Sequence, residues 1–87
     1  MGWILYHTKE RGRPHILRLY RTHKGAMIGM RASNRNAGYG IRYEVKRLED
    51  GSEVETSLNQ RSYAILRAPY AIIEEEFYKK KYAVDCI

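Results

Sequence analysis

The chain has 87 residues, of which 44% are hydrophobic and one is a cysteine. This length fits one domain, the apolar content excludes a wholly disordered chain, and one cysteine excludes an intramolecular disulfide. The longest segment without a charged side chain is 1–8, far short of the roughly 20 apolar residues that cross a membrane. We expect one small cytoplasmic domain, residues 1–87, with no membrane association.

Basic residues are concentrated in the first half of the chain. Residues 1–47 carry eleven bases and two acids, a net charge of +9, whereas residues 48–87 carry five bases and eight acids. Eight of those eleven bases are arginines, whose planar guanidinium matches phosphate geometry better than a lysine ammonium does. This asymmetry predicts a basic face for an anionic partner, either nucleic acid or an acidic protein surface.

The first quarter of the chain predicts a β-hairpin. Segment 3–8 is apolar and β-prone, 9–14 is a polar turn with Gly and Pro, and 15–21 is a second strand. Strict alternation along the second strand places Ile16 and Leu19 on opposite faces.

The segment that follows predicts further turns and one weak strand. Residues 22–25 indicate a turn, and 33–38 indicate a loop rich in residues that tolerate positive φ. Between them, 26–31 predicts a third strand, weakened because glycine and methionine dilute its β preference.

Residues 39–58 predict a central β-hairpin. Apolar and polar side chains alternate along its first strand, and Asp50 with Gly51 forms a dipeptide typical of a two-residue type I′ turn. That turn predicts a register in which Lys46 faces Glu55.

The last third of the chain changes its hydrophobic period. Residues 60–67 fit a strand or a helix and slightly favour a strand, whereas 69–82 predicts a helix with acids in its first half and lysines in its second. The predicted apolar stripe of this region consists of Leu66, Tyr70, Ile73 and Phe77. The stripe is wider than one small sheet covers, which predicts a homodimer through this helix.

Together these elements predict an α+β fold. Four to six antiparallel strands form a meander, the hairpin 39–58 lies at its centre, and one C-terminal helix, about 69–82, packs on one face. The alternative is a small, partly open barrel of the SH3 or OB kind with the helix as a lid.

Arginines interleaved with tyrosines form the candidate site. Arg18 and Tyr20 share one face of the second strand, where they can hold phosphates and stack bases. Tyr39, Tyr43 and Tyr70 lie on apolar positions, where half-buried packing is expected. The candidate nucleic-acid-binding residues are Arg11, Arg13, Arg18, Tyr20, Arg21, Lys24, Arg31, Arg35 and Arg42.

No catalytic motif is present in the sequence, and no cofactor or metal ion is predicted. His7, His15, His23 and Cys86 lack the short spacing of a metal motif. The sequence therefore predicts a small, basic, non-enzymatic protein that binds nucleic acid, DNA or RNA, through an Arg/Tyr-bearing sheet face and loops. The alternative is a protein-binding regulator or inhibitor of a host or cognate enzyme, which docks through the same basic face.

Overall fold

A computed structural model describes residues 2–8, 15–39, 43–58 and 63–82. Five strands and two helices follow in the order β1, β2, α1, β3, β4, β5 and α2. Their bounds are β1 Trp3–His7, β2 His15–Tyr20, α1 His23–Asn36, β3 Glu44–Arg47, β4 Glu53–Leu58, β5 Ile65–Glu74 and α2 Glu75–Tyr82. The side chains of His15 and Tyr82 are not described.

The five strands form one antiparallel sheet in the order β2-β1-β5-β4-β3. The α+β class, the antiparallel sheet and the C-terminal helix are confirmed. The sheet is not a single meander. Strands β3, β4 and β5 are adjacent in chain order, but β5 then pairs with β1 of the N-terminal hairpin. The outer strands β2 and β3 lie at opposite ends of this order, so the described sheet is open, unlike the alternative barrel.

Each face of the sheet is covered by one helix. On one face, Ala26 and Met30 of α1 pack against Leu5 and Ile72. On the other, Tyr78 of α2 packs with residues that include Ile4, Tyr6, Val54 and Ile73. Consecutive residues of β5 therefore bury their side chains on opposite faces, as expected for the central strand of a sheet covered on both sides.

The helix α1 replaces the turn, the weak strand and most of the loop predicted over 22–38, so those predictions are wrong. The end of the predicted loop, 37–38, is a turn in which Gly38 has a φ of +90°. Thr22 caps its N-terminus, and the Thr22 Oγ1 accepts a hydrogen bond from the Gly25 amide at 3.1 Å. Ala26, Met30 and Asn34 recur every four residues and are buried. Their burial against the sheet outweighs the low helix propensity that glycine gives this segment.

Asn34 holds the C-terminal part of α1 to two strands. Its Nδ2 donates to the Glu55 Oε1 at 2.8 Å and to the Tyr70 carbonyl at 3.2 Å. Its Oδ1 accepts from the Tyr70 amide at 2.9 Å. The buried amide therefore satisfies a buried carboxylate and strand backbone at once.

The hairpin predicted over 39–58 is present, but its first strand, β3, lies at the edge of the sheet and not at its centre, and the register is shifted by one residue. Lys46 pairs with Val54 and not with Glu55, because the turn has three residues between Leu48 and Ser52. The Leu48 carbonyl accepts from the Gly51 amide at 3.0 Å, and Gly51 has a φ of +88°. This positive φ completes a three-residue loop of the kind that ends in a glycine bulge. The shift exchanges the faces on which the β3 side chains lie.

A bulge between Leu5 and Tyr6 also alters the faces of β2. Ile16 pairs with Tyr6 and Leu19 pairs with Ile4, so both lie on the α2 side of the sheet. Strict alternation predicts opposite faces for these two residues. That prediction is wrong because the bulge adds one residue to β2.

The predicted C-terminal helix is shorter and begins later. Segment 65–74 is strand β5, which confirms the preference for a strand over 65–67 and corrects the helix start from about 69 to Glu75. Leu66, Tyr70 and Ile73 therefore belong to a strand, and Phe77 packs on the core of its own sheet. The apolar helical stripe predicted as a dimer interface does not form. Within the described residues, no helix is long and apolar enough to span a membrane.

Candidate nucleic-acid interface

The outward side of α1 carries a stripe of exposed residues at alternating spacings of four and three. We define the outer face of α1 as Lys24, Ile28, Arg31 and Arg35, which are exposed. Residues at this spacing lie on one side of a helix. Because α1 contains no Asp or Glu, the outer face is purely cationic apart from the isoleucine.

Two carboxylates lie beneath α1, where neighbouring side chains of the protein bind them. Glu53 and Glu55 on β4 are 7% and 6% exposed. The His23 Nε2 lies 2.8 and 3.0 Å from the two Glu53 oxygens, and Asn34 donates to Glu55. The Arg47 guanidinium lies 3.8 Å from Glu53. Glu53 and Glu55 are therefore buried beneath the helix, and Glu74, paired with Trp3 on the same side, is half-buried, whereas the cations of α1 face solvent.

Arg18 adds a cation beside α1. It pairs with Leu5, which packs against α1, so Arg18 stands on the same side of the sheet as the helix. Its guanidinium carbon lies 5.2 Å from the centre of the Tyr20 ring. Arg21 is exposed in the connection between β2 and α1. The basic surface thus extends from α1 onto the β2 edge.

Tyr20 packs against the helix and does not present its ring face to solvent as an open platform. A Cβ added at Gly29 would lie 2.1 Å from the Tyr20 Oη and 2.6 Å from its Cζ. One added at Gly25 would lie 3.4 Å from the Tyr20 Cδ1. The two glycines therefore make room for the ring along the side of α1. Sequence reasoning treated Tyr20 as a base-stacking residue, whereas its observed contacts are those of a packing residue.

Other rings on the α1 side of the sheet also make internal contacts. Trp3 and His23 meet edge to face with centroids 4.6 Å apart, and His7 and Tyr70 do so at 5.0 Å. Tyr70 is half-buried and packs on the α1-side core, as expected. Tyr39 and Tyr43 are also half-buried, and their rings meet edge to face with centroids 6.0 Å apart.

The structure brings part of the predicted site together. Lys24, Arg31 and Arg35 share the outer face of α1, and Arg18, Tyr20 and Arg21 lie beside its N-terminal half. Arg11, Arg13 and Arg42 lie outside the described residues. Sequence reasoning missed Ile28, because it assigned the segment to a strand; the capping Thr22 and the four-residue spacing of Ala26, Met30 and Asn34 were the available signals.

The opposite side of the molecule has mixed charge. Helix α2 begins with Glu75 and Glu76 and continues with Lys79, Lys80 and Lys81. Lys81 pairs with Asp50 in the turn between β3 and β4. Helix α2 therefore carries acids at its start and bases at its end, unlike the acid-free helix on the other face.

The described residues contain no cluster of three or more His, Cys, Asp or Glu side chains that could hold a metal ion. No protein-family model, curated protein sequence or solved structure matches this chain. The case for function therefore depends on the geometry and charge of the α1 side.

Proposed function

We propose that the protein is a non-enzymatic cytoplasmic protein that binds nucleic acid through the outer face of α1. One observation carries the proposal: Lys24, Arg31 and Arg35 share the exposed side of a helix that contains no acid. The proposed interface is therefore on the helix α1 and not on the sheet face and tyrosines that the sequence alone indicates.

The dimensions of the outer face suit a polyanion. Lys24 and Arg35 are eleven residues apart, about 16 Å along the helix at 1.5 Å per residue. Arginine forks and a lysine ammonium along that length can contact several phosphates of one strand. With Arg18 as a fourth contact, log K for a duplex falls with log[salt] at a slope of about −3.6, or about −0.9 per phosphate.

The test is an R31Q/R35Q double variant, which keeps helix propensity and removes two positive charges. We expect at least about tenfold weaker binding and a salt slope shallower by about 1.8. Fluorescence anisotropy of labelled single- and double-stranded 24-mers at two salt concentrations measures both quantities.

The matched control is K46Q/K79Q, which removes the same charge from exposed positions on the α2 side. Lys46 pairs with Val54 of the α2-side core, and Lys79 lies on α2 itself. We expect less than about a twofold loss for this variant. Absence of binding by the natural sequence at low salt, or equal losses in both variants, would contradict the proposal.

A homodimer through the β2 edge is part of the proposal. The outer strand β2 exposes three apolar residues, Ile16, Leu17 and Leu19, at 43%, 44% and 59% of their surfaces, and one charged residue among its described side chains, Arg18. The other outer strand, β3, exposes three charged residues, Glu44, Lys46 and Arg47. Charged side chains protect a sheet edge from pairing, and apolar ones do not. Antiparallel pairing of two β2 strands about a two-fold axis keeps both α1 helices on one side of the joined sheet.

A second candidate function is docking on an acidic protein through the same basic face, and a separate exposed apolar patch supports a protein partner. Leu58, Tyr63, Ile65 and Leu66, at the far end of the β4–β5 hairpin, are 44–80% exposed. Exposed apolar patches of this kind mark protein interfaces. A pull-down with and without nuclease treatment separates the two functions, because a protein partner survives nuclease and a nucleic acid bridge does not.

A further inference from the structure

We infer that the ligand of this basic face is duplex DNA, with the outer face of α1 in the major groove. This inference rests on the proposed function and specifies the class of nucleic acid. This inference depends on one observation: the cations of the α1 side point outward, whereas the aromatic rings beside them are packed inward.

The position of the aromatic rings argues against a single-stranded ligand. Proteins that bind single strands stack bases on exposed aromatic side chains. Here Tyr20 lies along Gly25 and Gly29, and Trp3 meets His23 edge to face. Among the described aromatic residues, Tyr63 has the most exposed side chain, at 80%. Tyr63 lies seven residues before Tyr70, which is the β5 residue that contacts Asn34 of α1. The α1 side therefore lacks a described stacking platform.

The dimensions of α1 favour a B-form duplex over an A-form duplex as its ligand. The major groove of B-DNA is about 12 Å wide and admits a helix, whereas that of A-form RNA is too narrow for one. Helix α1 has 14 residues, about 21 Å in length, and lies over the central strands β1 and β5. Its exposed residues Lys24, Ile28, Arg31 and Arg35 run along one side of the helix from its first turn to its last, as contact along a groove requires.

Arg18 lies where it can reach a groove wall. It stands on β2, one strand beyond β1, on the α1 side of the sheet. Adjacent strands are about 4.8 Å apart, so Arg18 flanks the helix on its β2 side. Lys24, Arg31 and Arg35 then lie along the groove, while Arg18 contacts its backbone.

Ile28 gives the outer face an apolar element. Its side chain is 61% exposed between Lys24 and Arg31, on a helix whose two methionines, Met27 and Met30, pack inward. In the major groove an apolar side chain contacts the 5-methyl group of thymine, a group that RNA lacks. Ile28 is therefore expected to favour thymine over uracil in the bound duplex.

The test compares four labelled 24-mers of one sequence: duplex DNA, duplex RNA, single-stranded DNA and single-stranded RNA. We expect duplex DNA to bind at least about tenfold more tightly than the other three at the same salt concentration. Methyl green, which occupies the major groove, should compete with the protein, whereas netropsin, which occupies the minor groove, should not.

The outcomes separate this inference from the proposed function. Tighter binding of a single strand or of duplex RNA, still lost in R31Q/R35Q, overturns the DNA inference and leaves the nucleic-acid proposal standing. Competition by netropsin alone overturns the major-groove placement. Absence of binding to all four oligonucleotides overturns both the inference and the proposed function.

Two single variants test the roles of the flanking and apolar residues. Arg18→Gln should weaken binding to all duplex sequences alike and make the salt slope shallower by about 0.9. Ile28→Ala should reduce the preference for a duplex with thymine over the same duplex with uracil and leave the salt slope unchanged. A changed slope in Ile28→Ala, or an unchanged slope in Arg18→Gln, would contradict these roles.

Discussion

Asp50 joins the turn between β3 and β4 to the last turn of α2. Its carboxylate accepts hydrogen bonds from the Ser52 amide and hydroxyl and pairs with the Lys81 ammonium. Burial by itself would raise the pKa of Asp50, but the hydrogen bonds from Lys81 and Ser52, together with the lysine charge, lower this pKa from 3.8 to about 2. The carboxylate is therefore more acidic in the folded state than in the unfolded state.

We expect Asp50→Asn to reduce the free energy of unfolding by about 0.5–1 kcal/mol at pH 7, the range for a partly exposed ion pair. Because the folded pKa is lowered, the contribution of Asp50 is fully present above pH 3.8 and is lost as the pH falls through 2. Urea unfolding at pH 7 and at pH 2 measures this difference, with the exposed Glu49→Gln as control. A stability loss that is the same at both pH values would contradict the role of the Asp50 charge.

At the scale of the element, α1 and β2 fit together through two glycines. Glycine costs a helix about 1 kcal/mol relative to alanine, so two in 14 residues need a packing reason. That reason is Tyr20, whose ring occupies the space that a side chain at Gly29 would fill.

We expect Gly29→Ala to lower the free energy of unfolding by about 1–2 kcal/mol, because the added methyl group displaces the Tyr20 ring. In a Tyr20→Leu background the same change should be neutral or stabilising, since the gain in helix propensity then remains. Chemical unfolding of the four proteins gives the coupling energy. A coupling near zero would show that Tyr20 does not set the requirement for glycine at this position.

At the scale of the whole molecule, the two sheet edges and the two faces differ in character. The β2 edge exposes three apolar residues beside Arg18 and the β3 edge exposes charged residues, while the α1 side is basic and the α2 side has mixed charge. The proposed dimer through β2 would join two basic helices on one face and would raise the avidity for a long polyanion without new contacts.

We expect a dimer at micromolar concentration and a monomer for Leu19→Glu, because this change places a charge on the paired edge. Sedimentation velocity or light scattering measures the mass, and Leu58→Glu, at the far end of the β4–β5 hairpin, is the matched control. A monomeric natural sequence, or dissociation caused equally by Leu58→Glu, would contradict the β2 interface.

Local sequence signals were sufficient for the α+β class, the first two strands and the presence of a C-terminal helix. The acid-to-lysine order over 74–81 complements a helix dipole without tertiary help, and an alternating hairpin strand is a local pattern. The excess of bases in the first half likewise follows from the sequence, as does the membership of Lys24, Arg31 and Arg35 in the candidate site.

Only the tertiary structure decided that 23–36 is a helix, that 65–74 is a strand and how the hairpin is registered. The glycines of α1 weaken its local helix signal, and burial of Ala26, Met30 and Asn34 on the sheet supplies what propensity does not. The central strand β5 buries both of its faces, so its nearly continuous apolar sequence has no period of two. The basic stripe of α1 exists because that long-range burial fixes which side of the helix faces solvent.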